Sequence, residues 1–537
     1  MERVDPPEIM DLFIIGGGIN GCGIARDAAG RGLKVELAEM NDLASATSSA
    51  STKLFHGGLR YLEYWEIRLV REALMERETL LRAMPHISWP MRFVLPTHKD
   101  LRFESDTPTS RLLNIVMPWL KGRRPRWLIH IGLILYDALG KRQILKGTTS
   151  IRLANTPEGA PLHDRFKHAF EYSDCWVEDS RLVALNARDA RNRGARLHLR
   201  TKVVSAQQKN GIWHVTLRSE NTPHHHEVKA RILVNAAGPW VDDVIKKTQG
   251  AKPSHGLRLV RGSHIVTRKL YDHDKCYFFQ GADGRIIFAI PYENDFTLIG
   301  TTDVDHPDLD ERPICTPKEQ DYLLNFASRY LKTPVTQEDI VWTYSGVRPL
   351  FHDGASTASA VTRDYVVRVD QSAGAPVLNV FGGKITTYRK LAETALEKIS
   401  PFFPKTQGPW TAGVPLPGGD FPVDAVAVQI DKLRSAYPFL SPNWAKRLIK
   451  AYGTDAFEML ADAQAAPDLG QAFGADLTEA EIKWLMDKEF AQRAEDVVWR
   501  RSKAGLRLTK DQITVLDDWM CKRLTQMGFS SPPQGKF

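Results

Sequence analysis

The chain has 537 residues, a net charge of +8 and five cysteines, and 43% of its residues are hydrophobic. This length predicts two or three compact units, and the composition excludes disordered and fibrous proteins. The cysteines are far apart and form no CxxC pair, which argues against a disulfide framework and against a structural zinc site. The mild basic excess fits an anionic substrate, an anionic lipid surface or a nucleic acid, without choosing among them.

No targeting or membrane-spanning segment is expected. The first ten residues lack a basic stretch followed by an apolar one, so they do not read as a secretory signal. The apolar run at residues 127–140 has 14 residues and contains His130 and Asp137. A spanning helix needs about 20 apolar residues, so this run is too short to cross a bilayer.

Residues 11–60 predict a dinucleotide-binding βαβ unit. The strand DLFII leads into a glycine turn and a helix, and the strand KVELAEM follows. Gly16, Gly18 and Gly21 form GxGxxG, whose glycines permit the tight turn, the close approach of a pyrophosphate and helix–strand packing. Glu39 ends the second strand, where its carboxylate can accept hydrogen bonds from ribose hydroxyls.

The glycine motif alone does not distinguish FAD from NAD. Two later turns, NAAGPW at 235–240 and FGGKITTY at 381–388, can line other parts of an extended FAD, which favours that cofactor. The hydroxyl residues of the loop after Glu39 can donate to the pyrophosphate: Thr47, Ser48, Ser51 and Thr52. Nothing indicates a metal site, and no basic–aromatic motif of a nucleic-acid module is present.

The remaining sequence predicts a series of secondary-structure elements, a linker and a final domain. The predicted elements are a helix at 67–84, alternating strands and helices at 165–235, an antiparallel sheet at 255–305, and a strand, turn and helix at 376–398. Residues 401–422 are dense in proline and glycine and predict a linker. Residues 423–537 then predict a separate helical domain.

Several longer motifs resemble the aerobic, FAD-linked glycerol-3-phosphate dehydrogenases. They are HGGLRYLE, EYSDCWVEDSRL, NAAGPWVD, RGSHIV, VWTYSGVRPL, TRDY and FGGKITTYRKLAE, in family order, and the helical tail also matches. The resemblance implies a Rossmann-like α/β FAD-binding domain of the D-amino-acid/glycine oxidase type, an antiparallel β substrate domain and an all-α C-terminal domain. Within 1–400 it implies FAD-binding segments at about 8–75, 150–240 and 345–400, interleaved with substrate segments at about 76–149 and 241–344.

The same resemblance implies the chemistry. It implies oxidation of sn-glycerol 3-phosphate to dihydroxyacetone phosphate by hydride transfer to FAD, with electrons passed to a membrane quinone. The matching motifs add these residues to the FAD-binding site: Asn20, Gly57, Gly58, Ala237, Gly238, Gly382, Gly383, Lys384 and Thr386. Cytoplasmic location with peripheral attachment to the inner membrane face follows, and the oligomeric state, including a homodimer, stays open.

A substrate phosphate calls for more than one cation, and arginine can grip it with two hydrogen bonds. The expected substrate-binding residues are Arg60, Tyr61, Arg348, Arg363 and Lys384. His264 is the first candidate for the catalytic base, because imidazole titrates near neutral pH, and His56 is the second. Arg348 and Lys384 can instead lower the hydroxyl pKa and stabilise a developing alkoxide.

Two further expectations concern the surface and the competing functions. The basic residues at 121–126 and 141–142 flank the apolar run, which predicts contact with anionic headgroups; a buried helix with basic flanks is the alternative. Fold alone also permits a glycerol-phosphate or amino-acid oxidase that uses oxygen, or an FAD-bearing regulatory protein without turnover.

Overall fold

The computed structural model describes residues 8–528, apart from some internal segments. Those segments are 99–100, 102–106, 118, 120–122, 124, 221–224, 249–256, 282–284, 352–364 and 373. The strands are β1 (Ile9–Ile15), β2 (Val35–Ala38), β3 (Leu54–Phe55), β4 (Ser88–Thr97), β5 (Thr149–Arg152), β6 (His168–Val177), β7 (Arg196–His198), β8 (Thr201–Lys209), β9 (Ile212–Ser219), β10 (His225–Asn235), β11 (Leu257–Arg268), β12 (Cys276–Gln280), β13 (Ile286–Tyr292), β14 (Phe296–Gly300), β15 (Val304–Asp305), β16 (Ile340–Phe351), β17 (Val366–Asp370), β18 (Val377–Phe381), β19 (Ala472–Gly474) and β20 (Leu477–Thr478).

The α-helices alternate with these strands and then dominate the end of the chain. They are α1 (Ile19–Gly30), α2 (Ile67–Ala83), α3 (Pro108–Val116), α4 (Arg126–Leu139), α5 (Asp179–Asn192), α6 (Val241–Lys247), α7 (Pro317–Ser328), α8 (Tyr388–Ile399), α9 (Val426–Ala436), α10 (Pro442–Tyr452), α11 (Asp455–Leu460), α12 (Glu479–Glu489) and α13 (Lys510–Gln526).

The first sheet carries the dinucleotide turn. Its order is β17-β18-β10-β1-β2-β7, with the β8–β9 hairpin joined to β10. Strand β1 lies at its centre, parallel to both β10 and β2. Apolar strands buried on both faces need helices over them, and the core of this layer joins residues from β1, α1, α5 and α8. The carboxyl ends of β1, β10 and β18 therefore meet at one edge, which is where all three predicted glycine turns begin.

The second sheet is mainly antiparallel and lies beside the first. Its order is β15-β11-β14-β13-β12-β4-β6-β3, with β16 joined to β11 and β5 to β6. The long β11–β16 ladder places His264 opposite Tyr344 and Val260 opposite Arg348. The antiparallel sheet that the alternating sequence at 255–305 predicts is thus confirmed.

The last part of the described chain is helical, with a core of its own. Helices α9 to α13 pack around buried residues such as Leu448, Ile482 and Leu516. The expected all-α C-terminal part is confirmed, alongside the α/β and antiparallel layers. Among the described residues, no helix combines the length and apolar character needed to cross a bilayer.

Candidate functional site

The first glycine turn lies between β1 and α1 and tolerates no side chain at its key positions. Gly16 has a φ of +111°, in the left-handed region that favours glycine. A Cβ on Gly21 would lie 1.9 Å from the carbonyl oxygen of Gly16. Gly21 thus contributes by letting the helix approach the strand, as its place in the motif predicts.

Glu39 lies beside this turn and is held by backbone donors. Its Oε2 accepts the N–H of Gly17 at 2.7 Å, and its Oε1 accepts the N–H of Asn41 at 2.9 Å. Burial raises the pKa of Glu39, and these two hydrogen bonds oppose that rise. A carboxylate has about four acceptor positions, so this group can still accept bonds from ribose hydroxyls.

The hydroxyl residues after Glu39 divide into two groups. Ser48 Oγ accepts the N–H of Ile19 at 3.0 Å, at the N-terminus of α1 where a phosphate would be favoured. Thr47 donates to the carbonyl oxygen of Val347 at 2.6 Å. Ser51 likewise donates, to the carboxylate of Asp179 at 2.7 Å, so the hydroxyl protons of Thr47 and Ser51 are both used within the protein.

A cavity of about 610 Å³ extends from this turn to the second sheet. It is lined by these sequence-predicted residues: Gly16, Gly18, Asn20, Glu39, Thr47, Ser48, Ser51, Thr52, His56, Gly58, Arg60, Tyr61, Ala237, Gly238, Arg348, Gly382, Gly383, Lys384 and Thr386. Gly21, Gly57 and His264 belong to the described residues but do not line it. Arg363 lies outside the described residues.

The turn wall of the cavity consists of the three glycine turns, at 16–18, 237–238 and 382–384. Gly382 and Gly383 have φ values of +68° and +98°. Asn20 Nδ2 donates to the carbonyl oxygen of Gly382 at 3.1 Å, which ties the first turn to the third. The buried Oδ1 of Asn20 has no hydrogen-bond partner among the described residues. An orphaned acceptor beside three glycine turns fits a bound group that carries its own donors.

The sheet wall faces the turn wall and consists of Tyr172, Asp174, Phe278 and Phe288. Tyr172 and Asp174 are two apart on β6 and therefore share a face. Phe278 on β12 lies opposite Phe288 on β13. This wall is a mainly aromatic surface, and the carboxyl of Asp174 is its exception.

Asp174 lines the cavity but is only 2% exposed, so its carboxyl is almost fully buried. It accepts hydrogen bonds from Arg77 and from the hydroxyl of Tyr136, and burial raises its pKa to about 6. The same Tyr136 hydroxyl accepts the N–H of Gly57 at 2.7 Å. Gly57 is therefore placed by this buried network, behind the cavity surface.

Two of the cationic side chains that line the cavity, Lys384 and Arg348, have contacts that fix their positions. Lys384 Nζ lies 3.9 Å from the ring centre of Tyr61. A Cβ on Gly58 would lie 2.2 Å from that same ring, so glycine is what lets the ring reach this position. Arg348 pairs with Asp303 and donates to Thr301 Oγ1 at 3.2 Å.

Sequence reasoning missed several lining residues. Arg285 precedes β13, and Thr301 and Asp303 follow β14; all three line the cavity. The strands themselves were readable from alternation, but nothing in the pattern marks these residues as convergent. Their presence in the same cavity as Arg60 and Lys384 depends on the pairing of strands far apart in sequence.

His264 lies just behind the cavity surface. Its Nε2 is 3.0 Å from Thr52 Oγ1, and its ring stacks on Tyr344 with the ring centres 4.7 Å apart. Burial, followed by the nearby charges of Arg348 and Lys53, holds its pKa well below the usual value. The structure therefore brings His56, and not His264, to the cavity surface.

In the described residues, no group of three or more His, Cys, Asp or Glu side chains is arranged to hold a metal ion. The cavity instead has the features of a dinucleotide site: glycine turns, a helix N-terminus, a ribose-facing carboxylate and an orphaned acceptor. These residues fit FAD. Fold and cavity together define a flavin-dependent oxidoreductase.

Comparison with known proteins gives the family. The model described as FAD dependent oxidoreductase matches residues 11–389, and that described as C-terminal domain of alpha-glycerophosphate oxidase matches residues 409–520. D-erythritol 1-phosphate dehydrogenase of Brucella abortus (strain 2308) is 48% identical over 513 residues, or 96% of this chain and 98% of that protein. Aerobic glycerol-3-phosphate dehydrogenase of Escherichia coli (strain K12) is 44% identical over 520 residues, or 97% and 99%.

A solved structure of similar architecture contains the cofactor. Glycerol-3-phosphate dehydrogenase from Bacillus halodurans complexed with FAD matches with a TM-score of 0.72 at 26% identity, covering 96% of this chain and 91% of that one. The chain belongs to the family of FAD-dependent glycerol-3-phosphate dehydrogenases. Its cofactor is FAD, as the sequence predicts.

Proposed function

We propose that this protein oxidises sn-glycerol 3-phosphate to dihydroxyacetone phosphate and that the electrons pass to a membrane quinone. The observation that carries the proposal is that four cationic residues, Arg60, Arg285, Arg348 and Lys384, line the FAD cavity. A phosphate carries about two negative charges and favours such a cationic group. The relatives named for glycerol 3-phosphate, at 44% and 45% identity, support the substrate.

D-erythritol 1-phosphate is the second candidate substrate, because the Brucella protein named for it is 48% identical to this chain. Both compounds are polyol phosphates, and erythritol phosphate is longer by one hydroxyl-bearing carbon. The cationic residues that line the cavity would bind the phosphate of either one. Discrimination would then fall to the part of the sheet wall that contacts the additional carbon.

The residues supply binding and proton chemistry, while bound FAD would accept the hydride from the carbon that carries the reacting hydroxyl. The turn wall and Glu39 would hold the cofactor. Arg60, Arg285 and Arg348 would hold the phosphate, and Tyr61 would donate to it. Lys384, between the third glycine turn and Tyr61, would stabilise the oxygen as its proton leaves.

We assign the proton-accepting role to His56. His56 lines the cavity, and its backbone N–H donates to Thr386 Oγ1 at 3.3 Å, which holds it next to the third glycine turn. The depressed pKa of His264 makes it a weak proton acceptor at neutral pH. His264 would instead orient the Thr52 hydroxyl, which lines the cavity between it and the substrate.

For the membrane contact we propose the exposed faces of α3 and α4. Trp127, Ile131, Ile134 and Leu135 recur at helical spacing on α4 and are all between 44% and 54% exposed. On α3, Ile115 is 79% exposed. Exposed basic residues adjoin both helices: Arg111, Arg123, Arg126 and Lys141. Apolar faces with cationic neighbours suit the surface of an anionic bilayer.

Vesicle sedimentation tests this surface. The double change Ile131→Asp and Leu135→Asp should abolish binding to anionic vesicles and leave the flavin spectrum intact. The exposed apolar Val428 on α9 gives a matched control, Val428→Asp. Equal sedimentation of both variants with the native protein would place the membrane contact elsewhere.

The first test of function is the visible spectrum of the purified holoenzyme, taken without oxygen before and after addition of each polyol phosphate. Bleaching by glycerol 3-phosphate at lower concentration than by D-erythritol 1-phosphate supports the primary proposal, and the reverse order supports the second candidate. A flavin that stays oxidised with both overturns the substrate class. Rapid peroxide formation on admitting air would replace the quinone with oxygen as acceptor.

A further inference from the structure

The loop that follows Glu39 is held by side chains that lie outside the cavity. We call residues 40–46 the cofactor loop, because most of it lines the cavity on one side: Met40, Asn41, Ala44, Ser45 and Ala46. Asp42 belongs to this loop but does not line the cavity, and its side chain is 1% exposed. Its carboxylate is therefore buried on the opposite side of the loop.

Two arginines from the C-terminal helical part bind that carboxylate. Arg501 donates through both terminal nitrogens, one to each oxygen of Asp42, at 2.7 Å in both cases. Arg500 Nε donates to Asp42 Oδ2 at 2.5 Å. A bidentate guanidinium–carboxylate pair fixes the relative orientation of the two groups as well as the distance between them. The sequence separation between Asp42 and these arginines exceeds 450 residues.

The arginines are themselves held in place. They end the π-helical turn Asp496–Arg501, and such turns are frequent at functional positions. Arg501 Nε also donates to the carbonyl oxygen of Glu489 at 3.0 Å, and Arg500 Nη2 donates to Asp496 Oδ1 at 2.5 Å. Neither guanidinium can therefore move without breaking contacts within the helical part.

A third arginine closes the network from the first sheet. Arg200 Nη2 donates to both oxygens of Asp496, at 2.8 and 2.9 Å, and its backbone N–H donates to the carbonyl oxygen of Asn41 at 3.0 Å. The next N–H, from Thr201, donates to the carbonyl oxygen of Glu39 at 2.8 Å. The same residues that face the cofactor are thus connected to the helical part through short, mostly buried contacts.

Surface loops are usually mobile, and a binding site gains affinity when such a loop is held in its bound shape beforehand. We propose that the C-terminal helical part retains the cofactor: Arg500 and Arg501 hold Asp42, and through it the cofactor loop and Glu39, in the conformation that binds FAD. Asp42, Arg500 and Arg501 are positioning residues, since they act through Glu39, Asn41 and the loop.

The test measures FAD affinity in the full-length protein and contains no substrate, so it is independent of which polyol phosphate is oxidised. FAD is stripped from the native protein and from Asp42→Asn, then titrated back while flavin fluorescence is followed. The control is Asp455→Asn, which loses another charge pair of the helical part, to Arg188 on α5 at 2.5 Å. Asp455 and Arg188 do not line the cavity.

We expect the FAD dissociation constant of Asp42→Asn to rise by about tenfold or more. Loss of a residue that supports a metal ligand from behind weakens metal binding by a similar factor. The FAD dissociation constant of Asp455→Asn should stay within about twofold of the native value. A change far from the cofactor loop is not expected to couple to FAD binding. Equal constants for the two variants, at equal melting temperatures of the apoproteins, would overturn the proposal.

If Asp42→Asn fails to fold, Arg501→Lys takes its place and is judged by the same dissociation constant. Lysine keeps the charge but cannot span both oxygens of Asp42. A native FAD affinity in folded Arg501→Lys would equally count against the proposal. A charge-conserving change that weakens FAD binding would support it, because a general loss of domain packing would lower apoprotein stability first.

Discussion

The turn wall and the sheet wall of one cavity are built in opposite ways. The turn wall presents backbone groups from three short contiguous turns, and its main requirement is the absence of side chains, as the 1.9 Å approach at Gly21 illustrates. The sheet wall and the cations beside it present side chains from strands and turns that are far apart in sequence, such as Tyr172, Phe278 and Arg348. We therefore expect substitutions of the turn-wall glycines to remove the cofactor, and substitutions of side chains that project into the cavity to slow the chemistry while FAD stays bound.

The largest expected effect is at Gly21. The change Gly21→Ala would press a Cβ against the carbonyl oxygen of Gly16 and separate α1 from β1. The purified protein should contain almost no FAD, as its absorbance at visible wavelengths would report. Gly408→Ala is the control, because nothing lies within 4 Å of a Cβ at that position. A fully flavinylated Gly21→Ala protein would contradict this description of the turn wall.

The two histidines give the next effect. His56→Gln should lower the rate of flavin reduction by about 10²- to 10⁴-fold, the usual contribution of a positioned acid or base. His264→Gln should lower it much less, because its ring acts through Thr52. Stopped-flow reduction without oxygen measures both, at equal FAD content. The opposite ranking would return the role of base to His264.

Replacing Lys384 should slow the reaction without weakening the binding of FAD. We expect Lys384→Met to slow flavin reduction by about 10²- to 10³-fold, as loss of one group that stabilises developing negative charge does. FAD content should stay near one per chain, since the turn wall keeps its glycines. Lys398→Met removes an exposed charge from helix α8, which follows the turn that contains Lys384, and serves as control. Loss of FAD from Lys384→Met but not from Lys398→Met would instead show that Lys384 binds the cofactor.

The smallest effect concerns stability and leaves both walls unchanged. His86 is fully buried, and burial together with Arg181 and Arg188 lowers its pKa to about 3. The unfolded chain, with a histidine pKa of about 6.5, takes up a proton that the folded chain excludes. The free energy of unfolding therefore keeps its full value above about pH 6.5. It falls as the pH decreases, by about 2 kcal/mol between pH 7 and pH 5.

Replacing His86 by leucine removes that titration. Urea unfolding of His86→Leu at pH 7 and pH 5 should show a smaller pH dependence than the native protein by that same amount. FAD content at pH 7 serves as the control for an intact cavity. An unchanged pH dependence would mean that other groups cause the loss of stability in acid.

The sequence was most informative where function depends on neighbours in the chain. GxGxxG with Glu39 at the end of the next strand predicted the first turn, its packing and the position of the carboxylate, because these relations span fewer than 25 residues. The other two glycine turns were also readable as local patterns, and the family motifs added three cations that line the cavity, Arg60, Arg348 and Lys384. Ser51 lines the cavity and stays a predicted cofactor ligand, and only the structure shows that its hydroxyl donates to Asp179 on α5.

By itself, the sequence determined the first glycine turn and the helical C-terminal part, because hydrophobic periodicity and glycine turns act locally. The layered fold and the FAD cofactor followed from the longer motifs that resemble a known family. Only the tertiary structure decided that His56 reaches the cavity surface while His264 lies behind Thr52, and that Arg285 also lines the cavity. It also decided that Asp42 meets Arg500 and Arg501 across more than 450 residues. The physical reason is that strand register and domain packing set which distant side chains meet, and neither leaves a periodic signal in the chain.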